Sequence, residues 1–239
     1  MELTEVTRVL PGLHMLVFTV GQAYLWHEPG SLTLIDTGTA GSGPAVLDAV
    51  RELGHTPGEL DRVVLTHFHE DHTGGAAELA ETTGATVMAH RLEAPVIRGE
   101  APGPPPDLAG APDWERELFE NLPALPPAPP CRVDRELEDG DVLDFGGGAR
   151  VVAVPGHTDG SIALLLPAGG GVLFTGDTAA NVGGATMPGV FNLDRARLSA
   201  SFRRLAALDT ETACFGHGEP IPHGAGAVLR KAAAGLPGP

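Results

Sequence analysis

Short apolar runs broken by glycine and proline recur along this chain in one order, strands and then a helix, and that order comes round twice. Of 239 residues, 33 are glycine and 22 are proline. Interleaved with apolar runs, they read as tight turns rather than disorder. Val6–Leu10, Leu13–Val20, Ala23–Glu28 and Leu32–Asp36 read as a meander of antiparallel strands. Pro44–Leu53 follows with apolar residues at helical spacing, Ser42 as its N-cap and Gly54 as its stop. Asp61–Thr66 and Thr86–Ala89 read as strands on either side of a helix at Gly75–Thr83. The second series runs through strands at Arg132–Leu137, Asp141–Phe145, Arg150–Val154, Ser161–Pro167 and Val172–Thr175. It ends in a helix at Leu193–Leu208, a strand at Glu211–Phe215 and a helix at Ala225–Ala234. Two packed sheets with helices outside satisfy both series, in one domain over residues 1–239.

Residues 99–130 interrupt this rhythm. Gly103-Pro104-Pro105-Pro106 and Pro126-Pro127-Ala128-Pro129-Pro130 flank a short helical stretch, Trp114–Asn121. Stiff polyproline arms around a structural loop are one reading. A lid over a cleft is the other, with Trp114, Leu118 and Phe119 lining a substrate pocket.

Charge removes some functions. With 15 Lys+Arg against 31 Asp+Glu the net charge is −16. Such a surface repels phosphate backbones and anionic lipid, so neither nucleic acid nor membrane is an expected partner. No apolar run reaches the roughly 18 residues that a spanning helix needs. The start, Met1-Glu2-Leu3-Thr4-Glu5, lacks a basic segment followed by an apolar one, so a cytoplasmic enzyme or binding protein is expected, its partner a small molecule. Two cysteines, Cys131 and Cys214, exclude a disulfide scaffold.

The chemistry concentrates after one strand. Asp61–Leu65 runs into Thr66-His67-Phe68-His69-Glu70-Asp71-His72, four donors for a metal within six residues. Imidazole and carboxylate suit a borderline divalent cation such as zinc, with iron or manganese as alternatives. Beyond a strand end, alternate residues point the same way, which brings His67 and His69 together. Asp71 and His72 face a second position after the turn. His157, Asp177 and His217 each follow an apolar strand and sit beside glycine, the arrangement in which strand-end loops converge on a site. His14, His27, His55 and His90 have no partners in sequence and read as surface or core histidines, and His223 as a helix cap.

The whole set resembles the metallo-β-lactamase superfamily, whose pattern is His-x-His-x-Asp-His followed by single His, Asp and His. Leu34-Ile35-Asp36-Thr37-Gly38 is similar to that family's early Asp-x-Gly signature. The resemblance runs from about Leu10 to Pro222 and implies a four-layer αββα sandwich of the α/β (α+β) class. It implies two metal ions, with His67, His69 and His157 on one and Asp71, His72 and His217 on the other. Asp177 would bridge them, and Asp36 would hold a ligand histidine; its other reading is a plain strand-to-turn aspartate. Two cations about 3.5–4 Å apart can share a water and make it hydroxide near neutral pH. Asp71 could orient that hydroxide and pass a proton to the leaving group. One departure stands out: Asp159 occupies the place of the family's usual proline after His157-Thr158.

Within the family, the glyoxalase-II-like and lactonase-like hydrolases are the nearest resemblance, so the expected substrate is a small ester, thioester or lactone. A glutathione thioesterase is expected to carry a longer, more basic C-terminal helical region, and a lactonase a tyrosine near the metals; the one tyrosine here is Tyr24. A mononuclear-iron sulfur dioxygenase of the same fold, a β-lactamase and a non-catalytic metal-binding module are the alternatives.

Overall fold

The computed structural model describes residues 3–237. Two compact units divide the chain. The first takes residues up to Gly103 together with Leu125–Leu137, and the second takes Pro104–Ala124 with everything from Glu138 onward.

The first unit is built on a seven-stranded sheet in chain order. β1 (Leu3–Leu10), β2 (Leu13–Phe18), β3 (Gln22–Glu28) and β4 (Ser31–Ile35) form the expected antiparallel meander. β5 (Leu60–Leu65), β6 (Thr86–His90) and β7 (Arg135–Leu137) then add in parallel. Parallel addition needs crossovers. These are α1 (Gly43–Glu52), the short α2 (Glu70–Thr73) with α3 (Ala76–Thr83), and α4 (Ala94–Ile97). Val46, Leu47 and Val50 of α1 and Leu79 of α3 are buried with Leu16, Leu25, Leu34 and Val63 in one apolar cluster. Burying each such side chain is worth about 1.5–3 kcal/mol, so this cluster holds the helices on the sheet. Ser42 sits at the start of α1 but makes no side-chain cap; its hydroxyl donates to Thr37 O at 2.5 Å.

The second unit carries α5 (Asp113–Asn121) and a five-stranded sheet in the order β14-β11-β10-β9-β8. Its strands are β8 (Val142–Leu143), β9 (Ala149–Ala153), β10 (Ile162–Leu166), β11 (Val172–Phe174) and β14 (Thr212–Cys214). α6 (Arg195–Ala206) and α7 (Ala225–Ala234) cover it, burying Phe202, Leu205 and Leu229 against Val152, Leu173 and Phe215. Asp194 caps α6, accepting from Ala196 N and Arg197 N at 2.9 Å each. A separate hairpin, β12 (Ala179–Val182) and β13 (Ala185–Pro188), lies between β11 and α6 in the chain. It is not among the strands expected from sequence, although Gly183-Gly184, both with positive φ, is a strong hairpin-turn signal.

Candidate metal centre

Parallel pairing sets the first half of the site. β4 and β5 align Ile35 with Val64, so the loops leaving them start at the same edge of the sheet. The loop after β4 brings Asp36, in the left-handed backbone region (φ 59°) that aspartate tolerates. Its buried carboxylate accepts from Thr66 N and Thr66 Oγ1, each at 2.8 Å, and from His72 Nδ1 at 2.9 Å. Thr66 Oγ1 spends its proton on Asp36, so it accepts from His67 Nδ1 at 3.0 Å. Both histidines therefore carry their proton on Nδ1 and direct the Nε2 lone pair away from these partners.

Those nitrogens lie near further atoms that could ligate a metal. His67 Nε2 is 3.1 Å from His69 Nδ1, and His72 Nε2 is 3.6 Å from Asp71 Oδ2. The His67 and His72 rings lie 4.0 Å apart. Glu93, buried, accepts from Phe68 N at 2.9 Å and so pins the turn between His67 and His69. Nothing in the sequence around Glu93 marks it.

In the second unit, β9, β11 and β14 all run in one direction. β10 is antiparallel to β9 and β11, and β14 is parallel to β11. The residues after these three strands, His157, Asp177 and His217, therefore leave the same edge. Asp177 Oδ2 is 3.1 Å from His217 Nε2 and 3.6 Å from His157 Nε2. A single carboxylate oxygen thus faces two imidazole nitrogens.

Asn192, absent from the sequence reading, completes this half. Its Nδ2 donates to Gly189 O at 2.8 Å, which turns Oδ1 toward His157 Nδ1 at 3.2 Å. His157 consequently keeps Nε2 for the site, the arrangement that Asp36 imposes on His72. Gly156 has φ 135°, and a β-carbon there would collide with Leu198 N at the start of α6. Asp159, the departure from the family pattern, pairs with Arg197 at 2.6 Å and ties the His157 loop to the same helix.

The apolar face of α5 does not pack into the core: Trp114, Leu118 and Phe119 are 49%, 42% and 41% exposed. The helix is instead held by Glu115, a buried carboxylate that accepts from Phe191 N at 2.7 Å and pairs with Arg195. Phe119 meets the Phe191 ring edge-on at 5.3 Å, and Phe191 itself has a positive φ of 58°. Cys214, three residues before His217, is fully buried, and burial pushes its thiol far up, so it stays a protonated apolar group. Burial pushes Cys131 up to about 11 in the same way. Tyr24 is buried on β3 and accepts from Gln22 Nε2 at 2.8 Å.

Two readings need correction. His223 does not cap α7, whose N-cap is Gly224, and it faces Glu211 at 3.5 Å on the surface. His14, His27 and His55 do have partners, namely one another.

The sequence profile described as "Metallo-beta-lactamase superfamily" matches residues 17–217. This chain belongs to that superfamily. It is 30% identical over 230 residues to "Probable metallo-hydrolase YflN" of Bacillus subtilis (strain 168), covering 88% of this chain and 85% of that protein. It is 32% identical over 201 residues to "Hydroxyacylglutathione hydrolase" of Rhodobacter capsulatus, 83% of this chain and 62% of that protein. The chain thus spans a little under two thirds of the length of that relative. Among solved structures, BJP-1, a subclass B3 metallo-beta-lactamase of Bradyrhizobium japonicum, is matched with a TM-score of 0.72 at 23% identity, over 98% of this chain and 91% of that one. A metallo-beta-lactamase family protein from Thermus thermophilus is matched with a TM-score of 0.67 at 27% identity, over 95% of this chain and 78% of that one. The fold is the metallo-β-lactamase fold, and a hydrolase agrees with the names of the relatives. His67, His69, Asp71, His72, His157, Asp177 and His217 each belong to a group of histidine and aspartate side chains that could hold a metal ion. No helix among the described residues is long and apolar enough to cross a membrane.

Proposed function

We propose that this chain is a hydrolase that holds two divalent metal ions, zinc by preference, and cleaves a small ester, thioester or lactone. The observation that carries the two-ion reading is Asp177, whose Oδ2 faces His157 and His217 at once, 3.6 and 3.1 Å away. We assign His67, His69 and His157 to one ion, Asp71, His72 and His217 to the other, and Asp177 to both. The donors fit such ions: nitrogen and carboxylate oxygen, with each of three ligand rings turned by a partner on its Nδ1. When bound, the pair supplies Lewis acidity and a water that ionises near neutral pH.

The chain's own groups do the rest. Asp71, beside His72, accepts the proton of the attacking water at a carboxylate oxygen and returns it to the departing alkoxide or thiolate. Asp36, Thr66 and Asn192 fix ring tautomers, so ligand nitrogens need no reorganisation. Trp114, Leu118 and Phe119 offer an apolar surface for the acyl part of the substrate and help exclude water. The relatives named as hydroxyacylglutathione hydrolases favour a thioester among the three classes. A cytoplasmic location belongs to the same proposal and is checked by cell fractionation.

Elemental analysis of metal-replete protein tests the centre, and a panel of chromogenic thioesters, esters, lactones and β-lactams tests the chemistry. About two equivalents of metal with thioester or ester turnover are expected. One equivalent of iron with oxygen consumption would replace this reading by the dioxygenase, and turnover of β-lactams alone would replace it by a lactamase.

A further inference from the structure

The helix α5 is amphipathic in the reverse sense. Trp114, Leu118 and Phe119 stay partly exposed, while the buried residue of the helix is a carboxylate, Glu115. Burying a charge is costly unless it is paired and hydrogen-bonded. Glu115 finds both in the segment leading into α6: it pairs with Arg195, and its Oε1 accepts from Phe191 N at 2.7 Å. Phe191 has a φ of 58°, in the left-handed region that a bulky side chain avoids. Asp36 is the other non-glycine residue with positive φ among the described residues. The residues after Phe191 run along the His157 loop. Asn192 Oδ1 lies 3.2 Å from His157 Nδ1, Leu193 N donates to His157 O at 3.1 Å, and Asp194 N donates to Gly156 O at 2.9 Å. The stretch before α5 holds the same place, with Asp107 N donating to Asn192 O at 2.9 Å.

We propose that Glu115 is a positioning residue for His157. By holding the Phe191 amide it keeps a strained turn in the shape that presents Asn192 Oδ1 to His157 Nδ1, which leaves Nε2 for a metal ion. This role rests on the metal reading proposed above and adds a residue of α5 to it. Anchoring the helix alone does not call for a buried carboxylate. Apolar groups in place of a buried ion pair often serve stability as well or better, and α5 has Trp114 and Leu118 to offer. An amide at position 191 needs an oxygen acceptor, and Glu115 supplies it without touching the ligand histidine directly: the link runs through Phe191 N and the Asn192 side chain.

The test measures zinc affinity by competition with a chelator, with melting temperature alongside. Glu115→Ala should lower the affinity about tenfold, near the low end for residues that orient ligands, because Gly189 O and Asp107 N still hold Asn192. Glu115→Gln keeps an oxygen for the Phe191 amide and should stay within about threefold of the unaltered protein. Asparagine accepts a positive φ without help, so Phe191→Asn added to Glu115→Ala should restore most of the lost affinity. A glutamate that merely fastened α5 would not be rescued by a change in another segment. If Glu115→Ala does not fold, Arg195→Met is added to it, so that no unpaired guanidinium is left behind. Equal zinc affinity with and without Glu115→Ala overturns the proposal, and so does a loss that Phe191→Asn leaves unchanged. Unaltered protein that binds no zinc overturns the metal reading itself, and this role with it.

Discussion

Asp36 Oδ2 and His72 Nδ1 are joined by a 2.9 Å hydrogen bond between two buried groups. The same carboxylate holds Thr66, which holds His67, so one aspartate sets the tautomer of two ligand candidates. Asp36→Ala is expected to lower metal affinity and kcat/KM by about 10–100-fold. Asp177→Ala should cost more, because the bridging role proposed for it would offset repulsion between two cations. Metal content and kcat/KM of the two variants check the order; a reversed order would mean the roles are misassigned.

Asn192 does for His157 what Asp36 does for His72. Asn192→Leu removes the acceptor at Nδ1 and should weaken metal retention by about 10–100-fold. Asn192→Asp keeps an acceptor and should retain most of it. Competition with a chelator measures both, and equal losses in the two variants would remove Asn192 from this role.

Gly156→Ala should destabilise the protein by about 2–4 kcal/mol, combining an unfavourable φ with a collision at the start of α6. Urea unfolding reads this directly. A loss below about 0.5 kcal/mol would mean that the His157 loop can shift off the helix at little cost.

Acid should weaken the fold partly through His27. Its folded value, about 4, lies below the ordinary 6.5, chiefly because of burial and then because of His14 and His55. Between these values the unfolded chain binds more protons, so stability present above about pH 6.5 is lost as pH falls toward 4. The full shift is screened, because the ring is half exposed, to about 1 kcal/mol. His27→Gln should flatten that part of the curve of melting temperature against pH; an unchanged slope would assign the acid sensitivity elsewhere.

Trp114→Ala with Phe119→Ala should leave melting temperature and metal content nearly intact, since neither side chain is buried in the core. The ranking of substrates with different acyl groups should change. Unchanged ranking would take these aromatics out of the substrate site.

The histidine and aspartate groups that could hold a metal ion were legible because they combine metal-binding residue types with a preceding apolar strand. The strands and longer helices were legible from apolar periodicity, to within a few residues. What escaped had no local pattern. Asn192 and Glu93 act through partners 35 and 25 residues away, and neither residue type in a loop announces such a bond. His14, His27 and His55 looked solitary because 13 and 28 residues separate the bonded pairs, and only the β2–β3 register and the turn after α1 unite them. The β12–β13 hairpin escaped for a different reason: its Gly-Gly signal lay between runs too short to read as strands.

The path of the chain limits how the gene could be divided. Residues 104–124 belong to the second unit but are flanked on both sides by pieces of the first. A single cut at 137/138 would therefore strip the later fragment of α5 and of Glu115. Arg195 and the Phe191 amide would lose their carboxylate partner right beside Asn192. The later fragment made alone should melt at a lower temperature than the same fragment mixed with residues 104–124 as a separate peptide.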